Sequence, residues 1–382
     1  MKRLVLLGGG HAHVHVLRHL ATARPDQVQV VLISPFARQL YSGMLPGYVA
    51  GHYAIDQLAI PLPPLAQAAG VEFAETAAVA LDAREHTITL ADGRVAEYDL
   101  LSIDTGSAPP RAAMPGAQEY ALFVRPIERF VGLLDRLVDL ARTRALDVPV
   151  IGGGAAGFEL VLALAHRLRR DAAAHEHRLA LVTGGAAPLA GYPDGVISRG
   201  RRVLRAHGIS VVEQACTAIE SDRLHLADGA TLASHAPVVA IGGAAPTWLQ
   251  GSGLALDERG FIAVGAAQQS TSHPDVFAAG DVATRVDAPH PKSGVYAVRA
   301  GPPLAANLLR ALAGQAPQPY QPQRRTLNLL SCGDRHAIAS WGAWAWQGDW
   351  VWRWKDHIDR SFITRYAGPR PSPAAQTAQA PP

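Results

Sequence analysis

Length, composition and charge limit what this chain can do. It has 382 residues, 48% of them hydrophobic, which is enough to bury the cores of two or three domains. The formal net charge of +3 comes from 35 basic and 32 acidic residues, too small an excess to indicate a nucleic-acid partner. Cys216 and Cys332 lie too far apart in sequence for a CxxC redox disulfide, and two cysteines are too few for a zinc site without several histidines.

The chain carries no sign of a membrane-crossing segment. Its first residues, MKRLVLLGGGH, have too few apolar positions for a secretory signal peptide. The longest apolar segment, residues 148–165, contains a glycine run and Glu159, which do not suit a transmembrane helix. We therefore expect a cytoplasmic protein.

A first nucleotide-binding motif lies near the N terminus. The apolar residues 4–7 predict a strand, three glycines follow, and a helical pattern comes next, which is the context of a dinucleotide site. We predict that Gly8 permits a tight turn and that Gly10, followed by His11, brings a pyrophosphate close to the start of the helix. His13 takes the place of the motif's third glycine.

Several histidines in this first helix raise the question of a metal. His11, His15 and His19 fall on one helix face at i, i+4 spacing. However, the loop is committed to phosphate, and no carboxylate or thiol is near in sequence. We predict no metal site.

The next segments supply further candidate cofactor contacts. The strand at residues 28–33 ends at Ser34, where this type of fold usually has an acid for a ribose, and serine still offers one hydrogen bond. Arg38 opens a segment whose apolar and aromatic content suits either a loop against a flat ring or ordinary loop packing. Short alternating strands then lead to Thr105 and Gly106, which we predict cross back over a bound nucleotide.

A second glycine motif repeats the opening pattern. Gly152, Gly154 and Gly157 stand between an apolar strand and an apolar helix in the full GxGxxG spacing. Two such motifs predict an α/β fold with two Rossmann-like dinucleotide-binding domains. The following strand ends at Thr183 with neither an acid nor an arginine, so the pattern leaves open whether NADH or NADPH binds.

A third candidate region precedes an apolar helix that we predict at residues 295–309. Residues 275–279 read as a strand that delivers Gly280 and Asp281 into a turn, where a carboxylate can meet sugar-like hydroxyls. We expect amide groups at the start of the following helix to face an electron-poor carbonyl edge. The residues assigned to this helix start are Ser293, Gly294 and Val295, with Lys292 as an assisting group.

These motifs divide the chain. We predict a discontinuous first domain at 1–108 and 246–314, a second domain at 117–245, and a small C-terminal β/α segment at 324–366. The Pro/Ala/Gln-rich tail at 367–382 is predicted to be disordered.

The C-terminal segment ends in a tryptophan-rich amphipathic helix. Its apolar positions share one helical register: Trp350, Trp354, Ile358, Phe362 and Tyr366. Such a helix can lie in a membrane interface, bind a partner groove, form a homodimer contact or pack on the first domain, and the pattern leaves these alternatives open.

Taken together, the motifs resemble those of the pyridine nucleotide-disulfide oxidoreductase superfamily over about residues 3–310. The resemblance implies FAD at the first glycine motif and a nicotinamide nucleotide at the second. Lacking a redox cysteine pair, the chain looks like the type II NADH dehydrogenases rather than the disulfide reductases. Glu159 matches their GxxGxE pattern, which implies a carboxylate close to the flavin that relays a proton or orients the nicotinamide.

Longer stretches look like the flavoprotein domain that is fused ahead of selenide, water dikinase. They run through the C-terminal segment and include GGGHAHVHVLR, LYSGMLPGYVAGHY and PKSGVYAVRAGPPLAANL. The resemblance implies selenophosphate synthetase as a partner. At the start of the helix that follows Ser293, quinone-reducing dehydrogenases carry an Ala-Gln pair. This chain has Gly294-Val295 there and departs from their pattern.

From these patterns we expect an FAD-dependent oxidoreductase that takes hydride from NADH or NADPH. The acceptor is left open between a quinone and a selenium or sulfur compound. The alternative is a flavin-binding docking or redox-sensor partner of selenophosphate synthetase with little turnover. A quinone-reducing enzyme would lie peripherally at the inner face of the membrane.

Overall fold

A computed structural model describes residues 1–366 of the chain. The tail predicted to be disordered, residues 367–382, lies outside this range. The helices are α1 (His11–Leu20), α2 (Leu45–Val49), α3 (Leu62–Ala68), α4 (Ala117–Tyr120), α5 (Ile127–Thr143), α6 (Ala155–Asp171), α7 (Asp194–Ala206), α8 (Gly294–Leu312) and α9 (Asp349–Tyr366).

The strands in the first part of the chain are β1 (Lys2–Leu7), β2 (Val28–Ser34), β3 (Arg38–Leu40), β4 (Ala59–Pro61), β5 (Glu72–Glu75), β6 (Ala78–Asp82), β7 (Thr87–Leu90), β8 (Val95–Glu97), β9 (Leu100–Ile103), β10 (Leu122–Phe123), β11 (Asp147–Ile151) and β12 (Arg178–Val182). Those that follow are β13 (Ser210–Val212), β14 (Cys216–Ile219), β15 (Arg223–Leu226), β16 (Thr231–Ala233), β17 (Val238–Val239), β18 (Ile262–Val264), β19 (Val276–Ala278), β20 (Ala283–Arg285), β21 (Leu327–Ser331), β22 (Ala337–Trp341) and β23 (Trp344–Gly348).

The first large sheet is parallel, in the order β19-β9-β1-β2-β5. Because both of its faces are covered, β1 is a continuous apolar run rather than an alternating one. On one face, α1 and α8 pack against each other, and Leu17 and Leu304 are fully buried there. The carboxyl ends of β1, β9 and β19 therefore meet at one edge, where open α/β sheets bind ligands.

The second large sheet is also parallel, in the order β10-β17-β11-β12-β13. Its central strand β11 leads into α6, whose apolar face is buried with Phe158 and Leu162 fully inaccessible. The two parallel sheets confirm the predicted fold class of two Rossmann-like units. The predicted domain boundaries stay predictions.

The C-terminal segment packs on both units. The antiparallel sheet β21-β22-β23 contacts α6 and α7, and α9 covers one side of it. Tyr53 donates a hydrogen bond to Asp356 Oδ1 at 2.6 Å, and the Lys355 ammonium donates to the Gly43 carbonyl at 2.6 Å. Helix α9 is thereby bonded to the segment between β3 and β4.

The predicted apolar stripe of α9 divides into two parts. Phe362 and Tyr366 are buried, and Tyr366 shares a hydrogen bond of 3.0 Å with His15 of α1. Trp350 and Trp354 remain 49% and 39% exposed. Because i, i+4 spacing overshoots a helical turn of about 3.6 residues, the stripe moves around the helix from the exposed Trp350 to the buried Phe362.

Candidate functional site

A cavity of about 580 Å³ opens at the carboxyl ends of the first parallel sheet. The glycine-containing turns that follow β1 and β9 contribute to its wall, as do the first residues of α5. The predicted cofactor residues that line it are Gly8, Gly10, His11, Ser34, Arg38, Thr105, Gly106, Asp281 and Gly294. The structure thus brings together residues from four separate stretches of sequence.

The glycines of the first motif make room for a carboxyl group. Gly8 has φ of +98°, and a β-carbon there would lie 2.4 Å from the carbonyl oxygen of Asp104. A β-carbon on Gly10 would lie 2.3 Å from the carboxyl of Asp104. Both positions therefore exclude any larger residue, and the space beside Gly10 is occupied by Asp104 itself.

Asp104 caps the first helix. Its Oδ2 accepts hydrogen bonds from the backbone N–H groups of Ala12 at 2.8 Å and His13 at 3.0 Å. Burial is the main cause that raises the pKa of Asp104 to about 7, and the nearby Asp281 carboxylate acts in the same direction. The hydrogen bonds from the two backbone amides oppose this rise. The resemblance places Asp104 in an FAD-binding segment, but its capping role was not predicted, because its partners lie 92 and 91 positions earlier in the chain.

His13 replaces the third motif glycine with a buried polar contact. The ring is fully inaccessible, its Nδ1 hydrogen-bonds the Gly8 carbonyl, and its Nε2 lies 2.8 Å from Ser102 Oγ. Burial lowers the pKa of His13 to about 4, so the imidazole is neutral near pH 7. The side chain therefore braces the glycine turn against β9 without adding charge.

His11 presents an unused polar atom at the cavity wall. Its Nε2 is buried and has no hydrogen-bond partner within residues 1–366. The pKa of His11 is lowered to about 4, chiefly because the ring is buried. This ring is therefore also neutral near pH 7. A buried unpaired nitrogen costs free energy, and a polar group bound in the cavity would satisfy it.

Positive charge reaches the cavity from the second unit. Arg125, which follows β10, donates from Nη1 to Asp281 Oδ2 at 2.8 Å and to Ser107 Oγ at 3.2 Å. Arg125, Arg38 and Arg129 all line the cavity. Guanidinium groups, glycine turns and the orphaned His11 nitrogen together fit a dinucleotide such as FAD. A strand-end arginine gives no sequence signal of its own, so Arg125 was missed.

The remaining residues of the third region lie beside a second, much smaller cavity of about 30 Å³. Gly280, Lys292 and Ser293 line it, whereas Val295 lines neither cavity. The Lys292 ammonium donates to the Ala283 carbonyl at 2.8 Å and lies 3.7 Å from the centre of the Phe261 ring. Burial lowers the pKa of Lys292 to about 8.

The second glycine motif has the geometry of a nucleotide loop. Gly152 has φ of +133°, and a β-carbon on Gly157 would lie 1.8 Å from the Gly152 carbonyl, so α6 packs tightly on β11. A β-carbon on Gly154 would meet nothing within 4 Å. The loop is thus open at the start of α6, where unpaired N–H groups attract an anion.

Glu159 faces the C-terminal segment. Its Oε1 accepts a hydrogen bond of 2.8 Å from the Ser331 N–H, and it is not among the lining residues of the large cavity. Burial raises the pKa of Glu159 to about 7, although Lys355 and the Ser331 amide act in the opposite direction. Lys355 pairs with Asp359 at 2.7 Å, and both side chains are almost inaccessible. Among residues 1–366, no cluster of three metal-binding side chains occurs.

Solved structures with the same fold are known. The sulfide:quinone oxidoreductase of Aquifex aeolicus matches 97% of this chain and 93% of its own, with a TM-score of 0.80 and 18% sequence identity. The NDH2 protein of Plasmodium falciparum, in complex with NADH, matches 96% and 99% with a TM-score of 0.78 and 12% identity. At such identities the likeness shows the fold alone.

Characterised relatives are similar in sequence over part of their length. Demethylphylloquinone reductase of Synechocystis is 27% identical over 57% of this chain and 55% of its own. An NADH dehydrogenase-like protein of Bacillus subtilis is 24% identical over 56% and 58%. The chain therefore spans little more than half the length of these two relatives.

Relatives named NADH dehydrogenase-like proteins agree with the predicted resemblance. No helix of residues 1–366 is long and apolar enough to cross a membrane. Residues 2–301 match the family described as pyridine nucleotide-disulphide oxidoreductase. This match confirms the predicted cofactor, FAD, with NADH or NADPH as its partner, and the chain belongs to this family of oxidoreductases.

Proposed function

We propose that this protein is an FAD-dependent oxidoreductase that passes electrons from NADH or NADPH to a small-molecule acceptor. The observation that carries the proposal is the glycine- and arginine-lined cavity of the first unit, joined in one chain to an open glycine loop in the second. FAD, when bound, accepts a hydride from the pyridine nucleotide and passes the electrons on.

The protein's own residues bind and orient. Arg38, Arg125 and Arg129 offer guanidinium donors to phosphate oxygens. Asp281, held by Arg125, is placed to accept hydrogen bonds from sugar-like hydroxyls, and the neutral His11 supplies one further polar contact. The loop that contains Gly154 binds the pyridine nucleotide at the start of α6.

For the acceptor we propose a quinone. Relatives of this chain are named demethylphylloquinone reductase and, from Aquifex aeolicus, sulfide-quinone reductase. The second of these is 30% identical over 28% of this chain and 24% of its own. The resemblance to the flavoprotein domain fused to selenide, water dikinase supports a selenium or sulfur compound as the second candidate acceptor.

The decisive experiment mixes the purified flavoprotein anaerobically with NADH and, separately, with NADPH. We expect the flavin absorbance near about 450 nm to bleach with at least one donor, because hydride transfer to flavin removes that band. Addition of a short-chain quinone should restore it. Bound flavin that neither nucleotide bleaches would contradict the proposed oxidoreductase.

An exposed tryptophan surface supports a second, docking role. We define it by the aromatic residues of β22, β23 and the start of α9, whose exposed fractions lie between 39% and 67%: Trp341, Trp344, Trp346, Trp350 and Trp354. Tryptophan is enriched where a protein meets a membrane interface and at protein contacts. We propose that this surface holds the protein at the inner face of the membrane, with selenophosphate synthetase and a second copy of the chain as alternative occupants.

A further inference from the structure

The buried carboxyl of Asp104 shares the cavity that we assign to FAD. It is 3% exposed, it lines the cavity, and it accepts two N–H groups at the start of α1. The positive end of a helix attracts anions, so this position is where an anionic cofactor group would be expected to bind. Here the protein already holds a carboxyl group against these amides.

The contacts of Asp104 are fixed by the glycines around it. Its carboxyl lies where a β-carbon of Gly10 would stand, and its Oδ1 is 2.6 Å from the β-carbon position of Gly280. The Asp104 carboxyl therefore fits between Gly10 and Gly280 and has no room to move away. Any negative charge that enters the cavity must be accommodated beside it.

Within residues 1–366, the hydrogen-bond donors to this carboxyl are backbone N–H groups, and no cationic side chain is bonded to it. On the α1 side, His11 and His13 are neutral near pH 7, because burial lowers their pKa to about 4. On the side of residues 280–282, Asp281 is a second carboxylate, and its partner Arg125 is already bonded to it. Burial and Asp281 both raise the pKa of Asp104.

We propose that Asp104 is a proton-linked cofactor-binding residue, which takes up a proton from solvent when FAD binds. Bound FAD excludes water from a cavity that holds a buried carboxylate, which favours the neutral acid. Its diphosphate, which meets the cavity arginines, adds negative charge and acts in the same direction. In this step the Asp104 carboxylate gains one proton from solvent as FAD binds. The product is the FAD complex with Asp104 as a neutral carboxylic acid. This inference rests on the proposal that the cavity binds FAD.

Linkage fixes the direction of the pH effect. A group that is more protonated in the complex than in the free protein weakens binding as pH rises above its pKa in the free protein. We therefore expect the Kd for FAD to rise about sixfold between about pH 6.5 and pH 8.5, which corresponds to a rise of about one unit in the pKa of Asp104 on binding. Below about pH 6 the Kd should be constant.

The test dilutes the holoprotein at several pH values and follows free FAD by its fluorescence. Asp104→Asn keeps one acceptor for the α1 amides but has no proton to gain, so its Kd should not vary with pH and should lie below the wild-type value at high pH. Asp92→Asn, which removes an exposed carboxylate, should keep the wild-type slope. Calorimetry of FAD rebinding in buffers of different ionisation heat should count up to one proton taken up by the wild type.

The outcomes separate the two proposals. A wild-type Kd that is constant from about pH 6 to 9, or the same slope in Asp104→Asn, would overturn the role of Asp104 while leaving the flavoprotein intact. Failure of the wild-type protein to bind FAD at any pH would overturn the proposed function itself. The proton count on the wild type remains decisive even where the Asn variant does not fold.

Discussion

At the scale of single residues, two buried carboxyl groups change their charge close to neutral pH. Asp104 and Glu159 are both held near a pKa of about 7, in each case chiefly by burial. One caps α1 and the other accepts an amide from β21. Small changes around pH 7 therefore change the charge of the protein interior.

Glu159→Gln should make stability less sensitive to pH. A carboxyl whose folded pKa is raised contributes stability that is complete below its unfolded pKa and is lost as pH rises through about 7. The wild type should thus lose more unfolding free energy between about pH 5 and pH 8 than the Gln variant. Urea denaturation at both pH values measures this, with the exposed Glu213→Gln as control. Equal losses in all three proteins would show that Glu159 is charged throughout.

At the scale of elements, α9 depends on a buried ion pair. Lys355 and Asp359 are 2.7 Å apart with side chains 12% and 6% exposed, and Asp359 raises the pKa of Lys355 against the effect of burial. Removal of one partner would leave a buried charge without its counterion. The pair also connects α9 to the segment between β3 and β4 through the bond from Lys355 to Gly43.

Lys355→Met should lower the unfolding free energy by about 3 kcal/mol, because it leaves Asp359 uncompensated. Arg360→Met on the same helix breaks an ion pair whose arginine is 44% exposed and should cost less than about 1 kcal/mol. Denaturant unfolding of both variants provides the comparison. Similar losses for the two substitutions would mean that the Lys355 pair contributes no more than a surface pair.

Local sequence patterns identified the elements around the glycine motifs but not how distant elements meet. The strand, glycine and helix order of both motifs predicted β1-α1 and β11-α6, because these are contiguous and have strong periodicity. Helix α8 was predicted at residues 295–309, yet it runs from Gly294 to Leu312 with Pro302 and Pro303 inside it. The positions of Asp104, Arg125 and Lys355 depend on long-range packing, on which a single sequence carries no signal.

At the scale of the whole molecule, the exposed tryptophans lie together at one end of the C-terminal segment. Trp344 and Trp346 stack with ring centres 6.1 Å apart, and Trp350 and Trp354 with centres 6.4 Å apart. Gly348, between the two pairs in sequence, leaves room for the Trp350 ring, since a β-carbon there would lie 2.8 Å from it. Strand β23 and helix α9 thus each present a stacked tryptophan pair to solvent.

Replacing Trp350 and Trp354 with serine should release the protein from membranes. We expect wild-type protein to sediment with vesicles of bacterial lipid composition, and the double variant to remain in the supernatant, because interfacial indole rings are lost. Val79→Ser and Val95→Ser, which remove exposed apolar residues elsewhere, should sediment like the wild type. Wild-type protein that does not sediment with vesicles would contradict the membrane role. If it instead dimerises or binds selenophosphate synthetase, that partner occupies the tryptophan surface.

The order of strands also has a consequence for synthesis on the ribosome. The second sheet is built from residues 122–239 without interruption, whereas the first requires β19 at residues 276–278 to form its edge. Domains generally fold as their residues emerge, N-terminal parts first. In this chain the second sheet can form while β1, β2, β5 and β9 still lack the edge strand β19. The nascent protein must therefore keep an incomplete parallel sheet from aggregating until β19 and α8 have left the exit tunnel.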